Sequence, residues 1–151
     1  QGETSLATGV ERECPQTRRR PRAGRHRQHN DATFHMSDLP EGTFEFAKRI
    51  VALCLELDQK PGTSRTLAKQ MLRSGTSIGA NVEEAQASQS EPDFLSKYSI
   101  ACKEARESHY WLRLLAASEV LPEARLHDLT VEANELVAIL TTIVEKLKAK
   151  R

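Results

Sequence analysis

A chain of 151 residues with a net charge of +1 has the length to bury the core of one domain. No run approaches the roughly 18 apolar residues of a membrane span, and no apolar stretch near the amino end resembles a secretory signal. The three cysteines, Cys14, Cys54 and Cys102, lack CxxC spacing, which argues against a disulfide framework and for a reducing cytoplasm.

The charge is unevenly placed. Residues 1–35 carry seven arginines, no lysine and four acids, while the remainder sets fifteen lysines and arginines against seventeen acids. With Pro15, Pro21, scattered glycines and few apolar residues, residues 1–36 read as a disordered Arg-rich segment that cannot offset the entropy of folding. Three readings of it compete. It is a basic arm for nucleic acid built on Arg18, Arg19, Arg20, Arg22, Arg25 and Arg27, or an organelle-targeting segment, or sequence ahead of a true start at Met36. Glu11, Glu13 and the prolines disfavour targeting, and arginine without lysine suggests GC-rich codons, so the last is preferred.

From Met36 onward the chain is patterned. A first helix is expected over roughly 43–58, where Phe46, Ile50, Leu53 and Leu57 are spaced 4, 3, 4 and Thr43 offers a cap. Lys60–Pro61–Gly62 breaks it, and Thr63 or Ser64 caps a second helix reaching about residue 88. The stripe of that helix reads Leu67, Met71, Ser74, Ile78, Asn81, Ala85 and Ser88. Gly75 and Gly79 lie inside it, each costing roughly 1 kcal/mol of helix propensity, and point to the close approach of a neighbouring backbone or to a local kink.

Ser90–Glu91–Pro92–Asp93 opens a third helix with a serine cap, a first-turn proline and a dipole-facing acid. Phe94, Tyr98, Ala101, Ala105 and Leu112 form its inner face, and Ile100, Trp111, Leu114 and Leu115 a second apolar side. After Leu121–Pro122–Glu123, a fourth helix places Leu126, Leu129, Ala133, Leu136, Leu140, Ile143 and Leu147 at alternating spacings of 3 and 4. Short connections make sequential helices antiparallel neighbours, so residues 37–151 are expected to form an all-α, up-down-up-down four-helix bundle.

No constellation announces a reaction. Glu-x-x-His pairs and a P-loop ending are missing, the Gly-x-Ser-x-Gly letters of Gly75–Gly79 lie inside the expected second helix and not at a strand-to-helix elbow, and His26-x-x-His29 lacks companions for zinc. The expectation is a protein that is not an enzyme and needs no metal or cofactor. Ser74, Ser77, Asn81 and Glu84 on the second helix, with Glu104 and Glu107 on the third, are read as a polar network that fixes register, or else as a binding surface. Arg65, Lys69 and Arg73 form a cationic ridge able to meet phosphates, and Lys103, Arg106 and Arg113 add to it. Ile100, Trp111 and Leu114 read as a self-association interface, with a wider internal core as the competing reading.

Between Ala68 and Leu115 the chain resembles a bacterial four-helix-bundle family, also named for proteins encoded in intervening sequences of 23S ribosomal RNA genes. The resemblance is carried by Gln70, Arg73, Ser74, Ser77, Ile78, Ala80, Asn81 and Glu84, then by Phe94, Ile100, Ala101 and Glu107. Ala85 stands where that family commonly has Gly, and Lys103–Glu104 replace a usual Gly-Ser, marking a branch with Lys-Glu-Ala-x-Glu-x-x-Tyr-Trp-Leu. The resemblance implies a homopentamer of four-helix bundles loosely associated with nucleic acid, RNA or DNA. It implies, alternatively, a scaffold or adaptor ring that docks another protein, as accessory factors to reverse transcriptases do.

Overall fold

The structure, a computed structural model, describes residues 38–150. The expectations for residues 1–36, including the start at Met36 and the His26 and His29 pair, lie outside the described residues. Four helices follow in order: α1 (Leu39–Asp58), α2 (Thr63–Gln86), α3 (Glu91–Ala117) and α4 (Glu123–Ala149). Their connections are so short that each helix must fold back on its predecessor. Cross-helix contacts give the sense directly. Cys54 meets Ala68, while Ile50 faces Gly75 and Thr43 faces Gly79, so α1 and α2 run antiparallel. Gln86 with Tyr98 and Ser74 with Ser108 do the same for α2 and α3, and Arg49–Glu132 with Glu56–Arg125 for α1 and α4. α1 and α4 make the lightest contact of the four neighbouring pairs.

The core is the expected seam of the 3-4 repeat. Phe46, Ile50, Leu53 and Leu57 of α1 and Leu126, Ala133 and Leu140 of α4 are fully sealed from water. Around them close Met71, Ile78 and Val82 of α2 and Tyr98, Ala101, Ala105 and Leu112 of α3. Burial of each large side chain contributes roughly 1.5–3 kcal/mol, which is what holds four independently marginal helices together.

Several local expectations are corrected. α1 opens at Leu39 with Pro40 in its first turn, four residues before the expected Thr43 cap. Thr43 is instead fully buried, and its hydroxyl donates back to the carbonyls of Leu39 at 2.9 Å and Pro40 at 3.0 Å. The residue preceding α2 is Gly62 at φ +83°, a left-handed conformation glycine adopts without strain, so neither Thr63 nor Ser64 caps that helix. Leu115 belongs to the core, not to an outer side of α3. In α2 the sealed seam includes Gly75, Gly79 and Val82, while Leu67, Asn81 and Ser88 are only half-buried. Cys54 is buried and donates to the carbonyl of Ala68, whereas Cys102 is half-buried beside Thr141.

Helix ends follow local chemistry. Ser90 Oγ accepts from the amide of Asp93 at 3.3 Å, the expected cap on α3. The other end of α3 closes in a Schellman turn: Val120 N donates to Leu115 O, and Glu119 N to Ala116 O. Glu119 sits there at φ +52° in the position glycine usually holds.

The two α2 glycines do different things. A Cβ added at Gly75 would stand 2.7 Å from Ile50 Cγ2, a branch methyl of a stiff, sealed side chain. At Gly79 the nearest atom is the backbone oxygen of Thr43 at 3.4 Å, an ordinary contact. Gly75→Ala is therefore expected to destabilise the fold by about 1–3 kcal/mol through overpacking, despite its better helix propensity. Gly79→Ala is expected to be neutral or to stabilise by about 0.5–1 kcal/mol. Denaturant unfolding of the two variants checks this, and equal losses would contradict a close approach centred on Gly75.

Candidate nucleic-acid interface

The sealed seam of α3 leaves an outer surface that divides lengthwise. Toward α2 lie Ile100, Glu104, Glu107 and Trp111; outward and toward α4 lie Lys103, Arg106, Tyr110 and Arg113. The first strip is engaged by its neighbours. Arg73 Nη2 donates to Glu107 Oε1 at 2.6 Å, and Trp111 Nε1 donates to the same oxygen at 3.1 Å. Trp111 is half-buried and packs against the core, Leu114 is half-buried, and Ile100 is 37% exposed.

The polar residues of α2 find partners chiefly within their own helix. Ser77 Oγ donates to Arg73 O at 2.7 Å, and Asn81 Nδ2 donates to Ser77 O at 2.8 Å. Ser74 is sealed and accepts from Ser108 Oγ at 3.0 Å. The expected partnership of Ser74 and Asn81 with Glu104 and Glu107 does not form. Glu107 turns to Arg73, and Glu84 pairs with Lys97 across to α3. Ser108, which the sequence pattern does not mark, takes the role, because a hydroxyl reaches across a tight helix contact where a carboxylate would remain charged and dry.

The two cationic groups fare differently. Arg65 is held by Asp58, Nε to Oδ1 at 3.1 Å and Nη2 to the Asp58 carbonyl at 3.1 Å. Arg73 is held by Glu107, so within the α2 ridge Lys69 alone forms no ion pair among the described residues. On α3, by contrast, Lys103, Arg106 and Arg113 are exposed, and no carboxylate pairs with any of them among the described residues. Arg106 donates only to the Thr141 hydroxyl, at 3.1 Å. Desolvation, then the nearby Arg113 charge, pushes the His109 pKa down and favours the neutral imidazole.

Tyr110 lies within this strip, 53% exposed, its ring meeting Trp111 edge-on at 5.0 Å between centroids. It does not stand out in the sequence, where aromatic residues on a bundle helix read as core. The spacing 103, 106, 110, 113 is the signal that marks it as a member of the outer stripe.

A second exposed surface lies between α1 and α2. Leu55 is 64% and Phe44 56% exposed, and with Val51 and Leu72 they line an apolar strip. A groove of about 450 Å³ runs under Phe44 and Val51 against Thr76 and Ala80. Among the described residues no cluster of His, Cys, Asp and Glu is arranged to hold a metal, and no helix is long and apolar enough to cross a membrane.

Glu104 is the strained member of the α2-facing strip. Its Oε2 is buried with no hydrogen-bond partner among the described residues. Burial, and then the Glu107 charge, raises its pKa, against a smaller opposing pull from Arg73. The folded state thus holds this proton more tightly than the unfolded chain, and stability declines as pH rises from the ordinary carboxylate range through the raised value. Glu104→Gln is expected to remove that decline and to raise the melting temperature at neutral pH by a few degrees. Thermal melts between acidic and neutral pH test it; a lower neutral-pH melting temperature would contradict it.

A family model described as 23S rRNA-intervening sequence protein matches residues 38–142. The chain is also similar to the crystal structure of a protein of unknown function from the S23 ribosomal protein family of Bacteroides thetaiotaomicron, with 41% identity and a TM-score of 0.65. That likeness covers 70% of this chain and 97% of the other. No curated protein matches.

Proposed function

Because this chain belongs to the 23S rRNA-intervening sequence protein family, we propose that it is a non-enzymatic, homo-oligomeric cytoplasmic bundle that associates with nucleic acid through charge. The observation that carries this reading is the unpaired cationic strip of Lys103, Arg106 and Arg113. Exposed cations spaced along one helix with no carboxylate to satisfy them fit a run of phosphates, and such contacts position a nucleic acid without reading its bases. Arg65 and Arg73 contribute less, since each would have to leave a carboxylate first.

Self-association is assigned to the apolar strip of Phe44, Val51, Leu55 and Leu72, because an exposed apolar patch of this kind marks an interface. Its rim carries both signs, with Glu45, Lys48, Asp58 and Lys69, which suits contact with a second copy of the same chain. The five-membered state implied by the resemblance is the expected one. The same strip supports a second reading, an adaptor ring that docks another protein such as a reverse transcriptase.

Two experiments separate these readings. RNA affinity is expected to fall with salt at a logarithmic slope of about −2 for single strands, as three neutralised phosphates require. Lys103→Glu, Arg106→Glu and Arg113→Glu together should abolish binding, while the same reversals at Arg65 and Arg73 should weaken it only several-fold. Salt-independent binding, or an unaffected α3 triple variant, would overturn the nucleic-acid reading, and capture of a protein partner without RNA would favour the adaptor. Separately, Phe44→Glu with Leu55→Glu should reduce the particle to a folded monomer in light scattering; an unchanged oligomer would exclude that strip as the interface.

A further inference from the structure

We propose that the outer face of α3 is a platform for single-stranded nucleic acid, on which Tyr110 stacks against a base between phosphates held by Arg106 and Arg113. The proposal rests on the charge reading above and specifies the form of nucleic acid that this face takes.

Geometry favours a single strand. Tyr110 lies four residues after Arg106 and three before Arg113, so it shares their side of the helix. Together with Lys103 the stripe extends about 15 Å along the axis. An aromatic ring flanked by cations at that reach matches what single strands require: sites for phosphates alternating with a flat apolar surface for a base. In a duplex the faces of the bases are already stacked on one another, and an isolated tyrosine on a convex helix has no groove to enter.

The ring is also held in place. Arg73 anchors Glu107, Glu107 accepts from Trp111 Nε1, and Trp111 meets Tyr110 edge-on at 69°. This relay runs from α2 across α3 and fixes the tryptophan against which the tyrosine rests. An aromatic side chain ordered before binding loses little rotamer freedom when a base arrives, which favours stacking. The α4 group that Arg106 reaches, the Thr141 hydroxyl, is uncharged, so that cation is not neutralised by its neighbour. Trp111, the one tryptophan in the chain, serves as a reporter because it touches Tyr110.

The test uses the full chain and three probes at one low salt concentration: an unstructured oligouridylate, an RNA duplex of equal length, and an abasic strand of the same phosphate count. Fluorescence anisotropy gives the affinities, and Trp111 emission reports contact at the ring. Tyr110→Ala should weaken oligouridylate binding by about tenfold or more, the loss expected for one stacked base. The same variant should bind the duplex and the abasic strand as the parent does, and Tyr110→Phe should retain parental affinity for all three. Oligouridylate alone should change Trp111 emission. Parental affinity of Tyr110→Ala for oligouridylate, or an equal loss on duplex and abasic strand, overturns the stacking proposal. If the α3 triple reversal still abolishes binding in that case, the charge reading survives it. Failure of the parent chain to bind any of the three overturns both.

Discussion

Burial of four apolar seams against one another is the constraint from which the remaining features follow, because it decides which side of each helix meets water. α3 packs closely against both α2 and α4, so its seam is sealed over a wide arc and its outer surface is narrow. α1 and α4 touch lightly and are bridged instead by Arg49–Glu132 and Arg125–Glu56. The tight side of the bundle is set by small residues: Gly75 beneath Ile50, and the Ser74–Ser108 hydroxyl pair between α2 and α3. Enlarging either would push helices apart and rotate the outer surfaces with them.

Electrostatics then sorts the cations that packing exposes. Arg65 and Arg73 reach carboxylates on the adjoining helices, and such half-exposed pairs are worth little to stability, but they lower the positive field of that ridge. Arg106 reaches only the uncharged Thr141 hydroxyl of α4, and no carboxylate forms an ion pair with Lys103, Arg106 or Arg113 among the described residues. The same rotation that buries Leu112 and Leu115 thus delivers a cationic strip with Tyr110 in its middle. The Arg73–Glu107–Trp111 relay ties the two strips of α3 together, so the ridge partly neutralised on α2 helps to order the surface beside it.

The bundle itself was legible in the sequence because the 3-4 rhythm of Phe46–Leu57 and Leu126–Ile143 depends only on helix geometry. The Ser90 cap was legible because it is a local requirement, while the backbone approach expected at both glycines is met only at Gly79, by Thr43 O, and Gly75 makes room for the Ile50 side chain. Thr43 misled because a threonine that caps a helix and one that bonds back to the carbonyl four residues earlier look alike in a string of letters. Ion pairing was not legible at all. Asp58 lies seven residues before Arg65 and Glu107 thirty-four after Arg73, and only the folded chain brings each pair within reach. The apolar strip of α1 was hidden differently: Val51 and Leu55 sit beside sealed neighbours, and periodicity alone does not say how wide a core is.

The most direct measurement is photocrosslinking of the assembled protein to a single-stranded RNA, with adducts located by mass spectrometry of tryptic peptides. Adducts concentrated in the peptide Glu107–Arg113 are the expected result, since it carries the exposed ring of the α3 strip. Adducts confined to peptides of α1 or to the Arg65–Arg73 stretch of α2 would contradict the account, because they would place the nucleic acid where the fold has already matched positive charge with negative.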